Sequence, residues 1–572
     1  MGVPGVVVKY VVSPRGGRRA HPDISSALRA AAARGRAALI EIAPGRYEEE
    51  LTVRGEVQLV AAQGPGSVVV GRPRGAVLDT FGSVHVHGLV LTGRDADVVG
   101  CHAGTLTLEH TEIRAPGTVA VHARPNTSVT LRDSVVLHGR TLFSGSAGVV
   151  ERCRFTDAAD NAIAVIEGAH VAVRSSRIEG SRIHGVRVSD ARAEVTGCEL
   201  TGTGSAAVMA DARAELAVTD CAITAVHAEG VMFAEQSRGT VDRTRVTDAQ
   251  HGIAAATGAD PVVRGCAMTD CRDTGINVQT SARGRFEDCQ VVGAGNVSVF
   301  STKGGAPEVH DCRISGGNVG IAVTEGARGR FTRIGIENLT NSALRVWNGS
   351  GGVFKHVRVD RCTLGLDTKG DGGTTADLAD VVFRDIETAV TALGQSRVTL
   401  RDVKAERGVV GFFAGEEAQV FLHDCAVTAV SVGGVAAAGK AKLFARNLVV
   451  NGSEGTGLAG SESGYFDVAN SEFTDCASAG AAFADESAGR LVDCAVNGTQ
   501  GPAVLHNGRV ELVSLRTSLP VVRKTVRTVE QTPTIINNYN GAVVNGTVIN
   551  SQFSWNSDNV IQQQTTEDGP GT

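Results

Sequence analysis

Four histidines crowd one early stretch of the chain: His85 and His87, two apart, then His102 and His110. Imidazoles two residues apart on a strand face the same way, and such a pair is the beginning of a transition-metal site. Cys101 and Glu109 adjoin two of them, but adjacent strand residues point to opposite faces. Spacing alone therefore completes no tetrahedral set, and no metal ligands are assigned. Acidic residues recur as Glu167, Asp190, Asp211, Glu235, Glu325 and Glu416. Carboxylates of this kind hold calcium or move protons when they converge, whereas an even spacing is also what solvated turns give. Gly434 to Ala441 nearly spells a phosphate-binding loop, yet Ala441 stands where a magnesium-binding Ser or Thr belongs. The segment also reads as strand and turn with no helix after it. No cofactor is expected.

The elements that position these residues emerge from a repeat. Val150-Glu-Arg-Cys153-Arg-Phe155, Val195-Thr-Gly-Cys198-Glu-Leu200, Val218-Thr-Asp-Cys221-Ala-Ile223 and Phe286-Glu-Asp-Cys289-Gln-Val291 share one register. Cys266, Cys312, Cys425 and Cys494 take the same slot, which elsewhere holds Ser134, Ser176, Thr244, Ile334, Val357, Val381, Val403, Asn447 or Ser471. A second register contains Asn161-Ala-Ile-Ala-Val165, His184-Gly-Val-Arg-Val188, Thr274-Gly-Ile-Asn-Val278 and Leu364-Gly-Leu-Asp-Thr368. Apolar residues alternate with period two between Gly, Asp and Asn, so each unit is strands and turns rather than helix.

The expected fold is all-β: a single-stranded right-handed parallel β-helix of about 20 coils of 22–23 residues, with two strands per coil and a third expected. The cysteines, at one repeat position in a long chain, are expected as buried thiols stacked coil on coil rather than as disulfides. Residues 61–515 form this solenoid. Residues 1–60 form its N-terminal cap, with a strand from Val6 to Val12 and a short helix from Asp23, the expected N-cap, to Arg34.

In the second register the side chains between the inward ones point outward. Stacking then lines up Asn277, Gln279, Ser301, Thr324, Arg345, Trp347, Asp367 and Lys369 along one face of the rod. One of only two tryptophans lies there, between a cation and a carboxylate. Such a group stacks on a sugar ring or anchors a protein partner.

From Asp23 through Ala38-Leu-Ile-Glu-Ile-Ala-Pro-Gly-Arg-Tyr-Glu-Glu49 the chain resembles the opening of pectinesterase-like and other β-helices of the pectate-lyase superfamily. The later coils resemble the carbohydrate-binding and sugar-hydrolase type of β-helix repeat. The whole is similar to bacterial β-helix proteins, some of which occur with AAA-type ATPases. The resemblance implies paired aspartates for esterase chemistry, in motifs resembling Gly-x-Val-Asp-Phe-Ile-Phe-Gly and Leu-Gly-Arg-Pro-Trp. Gly239-Thr-Val-Asp242 matches only the first four positions of the first motif and then continues as ordinary repeat, while Gly71-Arg72-Pro73 lies too early and lacks its tryptophan. No catalytic residue is assigned.

Residues 516–533 read as a linker and 534–572 as an Asn-rich, β-prone tail. Residues 534–553 carry no charge, and the tail reads either as a strand element that caps or continues the solenoid or as a segment that self-associates through amide ladders, with Asn545, Gly546, Asn550, Gln552 and Phe553 as candidates. The formal charge of −6 offers no drive toward nucleic acid or an anionic membrane. With neither a signal-peptide pattern nor an apolar run of spanning length, a cytoplasmic location is expected. The function expected first is a non-catalytic binding or scaffold protein that engages a protein or glycan partner, an AAA-type ATPase among the candidates. A carbohydrate-active enzyme, and a component that forms homo-oligomers through its tail, are the alternatives.

Overall fold

The chain is a right-handed parallel β-solenoid of about 21 turns with one short helix. The computed structural model describes residues 7–16 and 20–523, together with the backbone of Ile536–Asn538 and Gly541–Val543, a two-stranded antiparallel pair. Asn545, Gly546, Asn550, Gln552 and Phe553 lie outside the described residues. Two compact units are present. One is built from Met1–Gly317 with Ala327–Gly329, the other from Asn318–Gly326 with Arg330–Thr572.

The first unit opens with the strand Val8–Val12, paired in parallel with Ala38–Ile42, and the helix Ile24–Arg34. The helix buries Ile24, Ala27, Leu28 and Ala31. Asp23 caps it, its carboxylate accepting from Ser26 N at 2.6 Å, and Gly35 ends it in the left-handed conformation. Glu49, last of the Pro-Gly-x-Tyr-x-Glu motif, accepts from Ile24 N (2.9 Å), Ser25 N (2.8 Å) and Ser25 Oγ (2.6 Å). The first N–H groups of a helix have no partner within it, and a carboxylate there satisfies them and opposes the positive end of the helix dipole. Tyr47 of the same motif donates its hydroxyl to Ala43 O at 2.8 Å.

Each regular coil has three strands. One coil comprises Ala147–Glu151, Arg154–Thr156 and Ile163–Ile166, and the next His170–Arg174, Arg177–Glu179 and Val186–Ser189. Val150 pairs with Val173, Val173 with Val195 and Val195 with Val218, steps of 22 or 23 residues. Between the first two strands the chain turns at one residue of positive φ: Asp133, Arg152, Ser175, Asp220 or Arg243. The next residue is the repeat's slot. Its side chain turns inward and donates to the carbonyl two residues earlier, as in Ser176 Oγ to Arg174 O (2.8 Å), Thr244 Oγ1 to Asp242 O (3.1 Å) and Cys153 Sγ to Glu151 O (3.3 Å). Small donors therefore recur there. All twelve cysteines are free and buried, and burial pushes the thiols of Cys153 and Cys271 up to about 11.

The glycine of the second register has a steric cause. A Cβ on Gly252 would sit 2.4 Å from Gly275 O and from Met268 Cγ, and one on Gly275 would sit 2.4 Å from Val291 Cγ1. The backbone there passes too close to its neighbours for any side chain.

The second unit repeats the plan with longer strands, among them Gly351–Asp360, Thr375–Arg384 and Arg397–Ala414. Phe331 and Phe354 stack with centroids 5.0 Å apart. One slot assignment moves by a residue. Asn447 is the corner residue, at φ 57, and Leu448 fills the core behind it; an amide tolerates the left-handed corner that a leucine resists. Among the described residues the ladder ends at Val521–Arg523, which lies inside the stretch read as a linker and pairs with Val504–His506. No helix among the described residues is long and apolar enough to cross a membrane.

Two outcomes follow. Gly275→Ala lowers the unfolding free energy by about 2 kcal/mol, while Gly335→Ala, where a Cβ meets nothing within 4 Å, leaves it unchanged or raises it by up to about 1 kcal/mol; denaturant titration reads both. Iodoacetamide at about pH 8 modifies no cysteine of the folded chain and all twelve after unfolding, as mass spectrometry counts them.

Candidate functional site

In the second unit the parallel ladder sets Arg345 against Asp367 and Trp347 against Lys369. Side chains that stand a coil apart in sequence thus meet at about 4.8 Å. Arg345 Nε lies 3.2 Å from Asp367 Oδ2, and both side chains are mostly buried, at 18% and 10% exposure. The other arm of the guanidinium donates to Ser342 Oγ (3.1 Å) and Asn341 Oδ1 (3.4 Å), and its carbon sits 4.3 Å from the centroid of the Trp347 ring. Trp347 Nε1 is buried beside the carboxylate and makes no hydrogen bond of normal geometry. Burial pushes the Asp367 carboxyl above the usual carboxylate range, against the opposing pull of Arg345, the indole and Lys369.

The remaining predicted residues fall elsewhere. Thr324, half-buried, lies in the same unit. Asn277, Gln279 and Ser301 belong to the first unit. Asn277 faces outward, in register with Phe300, yet is 6% exposed with its Oδ1 unpartnered. Gln279 is half-buried beyond the end of its strand. Ser301 is corrected: it pairs with inward Val278, is fully buried and donates to Gly305 O at 3.1 Å. Val297 and Val299 point into the core, so period two carries Ser301 inward with them.

The recurring acids are also explained by backbone. Glu167, Asp190, Glu235, Glu325 and Glu416 all have φ between 47° and 57°; Asp211 is the exception, buried and paired with Arg187 at 2.9 Å. They occupy corners rather than one site. Gly434 to Ala437 is strand and Lys440 follows in a turn, where Lys440 N donates to Glu416 O.

The early histidines are sorted by the ladder into two groups. His102 Nε2 lies 2.7 Å from Asp79 Oδ1, and His122 Nδ1 lies 2.7 Å from Asp97 Oδ2, which also meets Arg124 at 3.3 Å. His122 pairs in register with Gly100, and Gly100 with Asp79. The hydrogen bond from His122 holds the Asp97 carboxyl below its ordinary value. Asp79, Asp97 and His122 escaped the sequence reading because their partners are 23 and 25 residues away; a column through Gly100 in the repeat alignment was the signal available. A carboxylate that orients an imidazole is an arrangement that general acid–base chemistry uses. The other group, His85, His87 and Glu109, offers ligand atoms within 4.8 Å of one another.

The model of the right-handed β-helix region matches residues 80–215, 206–364 and 364–566. No curated protein sequence matches the chain. Among solved structures it is similar to the catalytic unit of a thermostable GH87 α-1,3-glucanase from Streptomyces thermodiastaticus, at 15% identity over 72% of this chain and 66% of that one, with a TM-score of 0.23. It is also similar to the PL6 family alginate lyase AlyGC, at 8% identity over 90% and 100% and a TM-score of 0.31, and to pectate lyase Pel9A, at 12% over 56% and 77% and a TM-score of 0.20. Identities this low concern the fold alone.

Arg345→Ala strands a buried carboxylate and lowers stability by about 3 kcal/mol, and Arg345→Met with Asp367→Leu recovers most of it. Because the folded pKa of Asp367 is raised, the contribution of this group is greatest in acid and is lost as pH rises through that pKa. The thermal midpoint of Asp367→Asn therefore gains on wild type as pH rises above about 4, the ordinary carboxylate value.

Proposed function

The chain belongs to the right-handed β-helix family, and from that premise we propose that it is a non-catalytic binding or scaffold protein whose recognition face in the second unit centres on Arg345, Trp347, Asp367 and Lys369. The observation that carries this reading is the stack of the Arg345 guanidinium on the Trp347 ring, locked from the side by Asp367. Tryptophan and arginine held rigid in a desolvated setting are the residues that dominate protein interfaces. Their rotamers are set before any partner arrives, so less entropy is lost on binding. With one face of the indole already occupied by the guanidinium, a protein partner fits this surface better than a sugar sandwiched on the ring. The resemblance of the whole chain to β-helix proteins that occur with AAA-type ATPases makes such an ATPase one candidate partner, and the cytoplasm the compartment in which to look.

A second reading, a carbohydrate-active enzyme, is favoured by the His102–Asp79 and His122–Asp97 pairs, which are disposed as general acid–base groups. Self-association through the tail is a third role; its residues lie outside those described.

The test is affinity capture with the full chain as bait. Wild type retains a defined partner, and Trp347→Ala with Lys369→Ala weakens its binding about 30-fold or more. Equal retention by the variant removes this face from consideration. Turnover of a polysaccharide that is abolished by His102→Ala with His122→Ala establishes the enzyme instead.

A further inference from the structure

We propose that His85, His87 and Glu109 form a binding site for one divalent transition-metal ion, of which Zn2+ is the type. His85 and His87 lie two apart on the strand Leu78–His87, so their imidazoles share its outer face. Glu109 stands on the strand one coil further, in register with His87. The ladder thus supplies a carboxylate beside two imidazoles, each on a strand rather than a loop. The backbone around it is held as well: Glu109 O accepts from Gly88 N at 3.0 Å and from Thr111 Oγ1 at 3.0 Å.

The distances suit a metal. His85 Nε2 lies 3.2 Å and His87 Nδ1 3.6 Å from Oε2 of Glu109, so both imidazoles aim at one oxygen of the carboxylate. Zinc binds nitrogen and carboxylate oxygen at about 2.0–2.1 Å in a tetrahedron, which separates adjacent ligand atoms by about 3.4 Å. The two separations bracket that edge, and an ion enters with small side-chain rotations. Two imidazoles and one carboxylate are a donor set for zinc, cobalt or nickel rather than for calcium or magnesium, which take oxygen. The three side chains are 37%, 33% and 32% exposed, which gives an ion a path in and leaves the fourth position to water or to a group from another molecule.

A second grouping, Glu109 with His110 and Asp133, also clusters within 4.8 Å. It is the weaker set. Both oxygens of Asp133 are held by Arg152, at 2.8 and 2.9 Å, and that pairing keeps the Asp133 carboxyl below its ordinary value. His110 faces His87 edge-on, with ring centroids 5.2 Å apart. Arg132, next in the column beyond Glu109, is turned to Glu151 at 3.1 Å and leaves the Glu109 carboxylate to the imidazoles.

The test uses the full chain, freed of metal by a chelator, and Zn2+ and Co2+ as probes. Competition with a chromophoric chelator shows one equivalent of Zn2+ bound. His85→Ala and Glu109→Gln each weaken it at least about 100-fold, and Asp133→Asn changes it less than about threefold. Bound Co2+ gives a tetrahedral visible spectrum without sulfur-to-metal charge transfer, which separates this site from the twelve cysteines. Added Zn2+ raises the thermal midpoint of wild type and not that of Glu109→Gln, a readout that does not depend on how stable the variant is. Absence of binding by wild type, affinity unaltered in His85→Ala, or loss of binding in Asp133→Asn would each overturn the assignment.

Discussion

Each coil must return the chain to its starting point, mostly after 22 or 23 residues, and it does so by bending at one or two residues in the left-handed region. Everything else is subordinate to those corners. Asp, Asn, Glu, Arg, Ser and Gly are among the residues that fill them, and at the corner between the first two strands of a coil the next residue turns inward. Because backbone hydrogen bonds run from coil to coil, a displaced corner costs the register of the strands above and below it.

The same corners carry a charged lattice. Arg152 grips Asp133 with two bonds, Arg243 grips Asp220 and Arg407 grips Asp385, each pair 19 to 23 residues apart in sequence. All are largely exposed, and exposed pairs contribute little individually. The buried Arg345–Asp367 pair follows the same vertical logic, but its desolvation makes it costly to leave half-made.

Much of the fold was legible because the repeat writes its period in side-chain size and polarity. The slot after each corner accepts a small donor or an aliphatic group, so Cys, Ser, Thr and Val marked it through most of the chain. Where composition blurred, the reading slipped by one residue: Asn447 looked like a small slot residue and is a corner, and Ser301 looked like an outward polar residue and lies inside. The Arg345–Trp347–Asp367 contact was legible from register alone. The links from His87 to Glu109 and from His122 to Asp97 were not, because a bond between coils leaves no mark on spacing until strands are aligned to the residue. The burial of Asp367 was equally hidden, since it depends on how neighbouring long side chains fold over the carboxylate.

The carboxylate of Glu49 joins the start of the helix to a residue beyond the first returning strand. Until the chain has passed that strand, the helix is tied only from the first strand, where the Tyr10 hydroxyl donates to Ala30 O at 3.3 Å, and the N–H groups of Ile24 and Ser25 lack their carboxylate. The arrangement makes the lid contingent on the stack it covers, so closure reports that assembly has begun correctly. Two backbone N–H groups and one hydroxyl converge on this single carboxylate, so removing it would leave the start of the helix without acceptors while the strands stay paired.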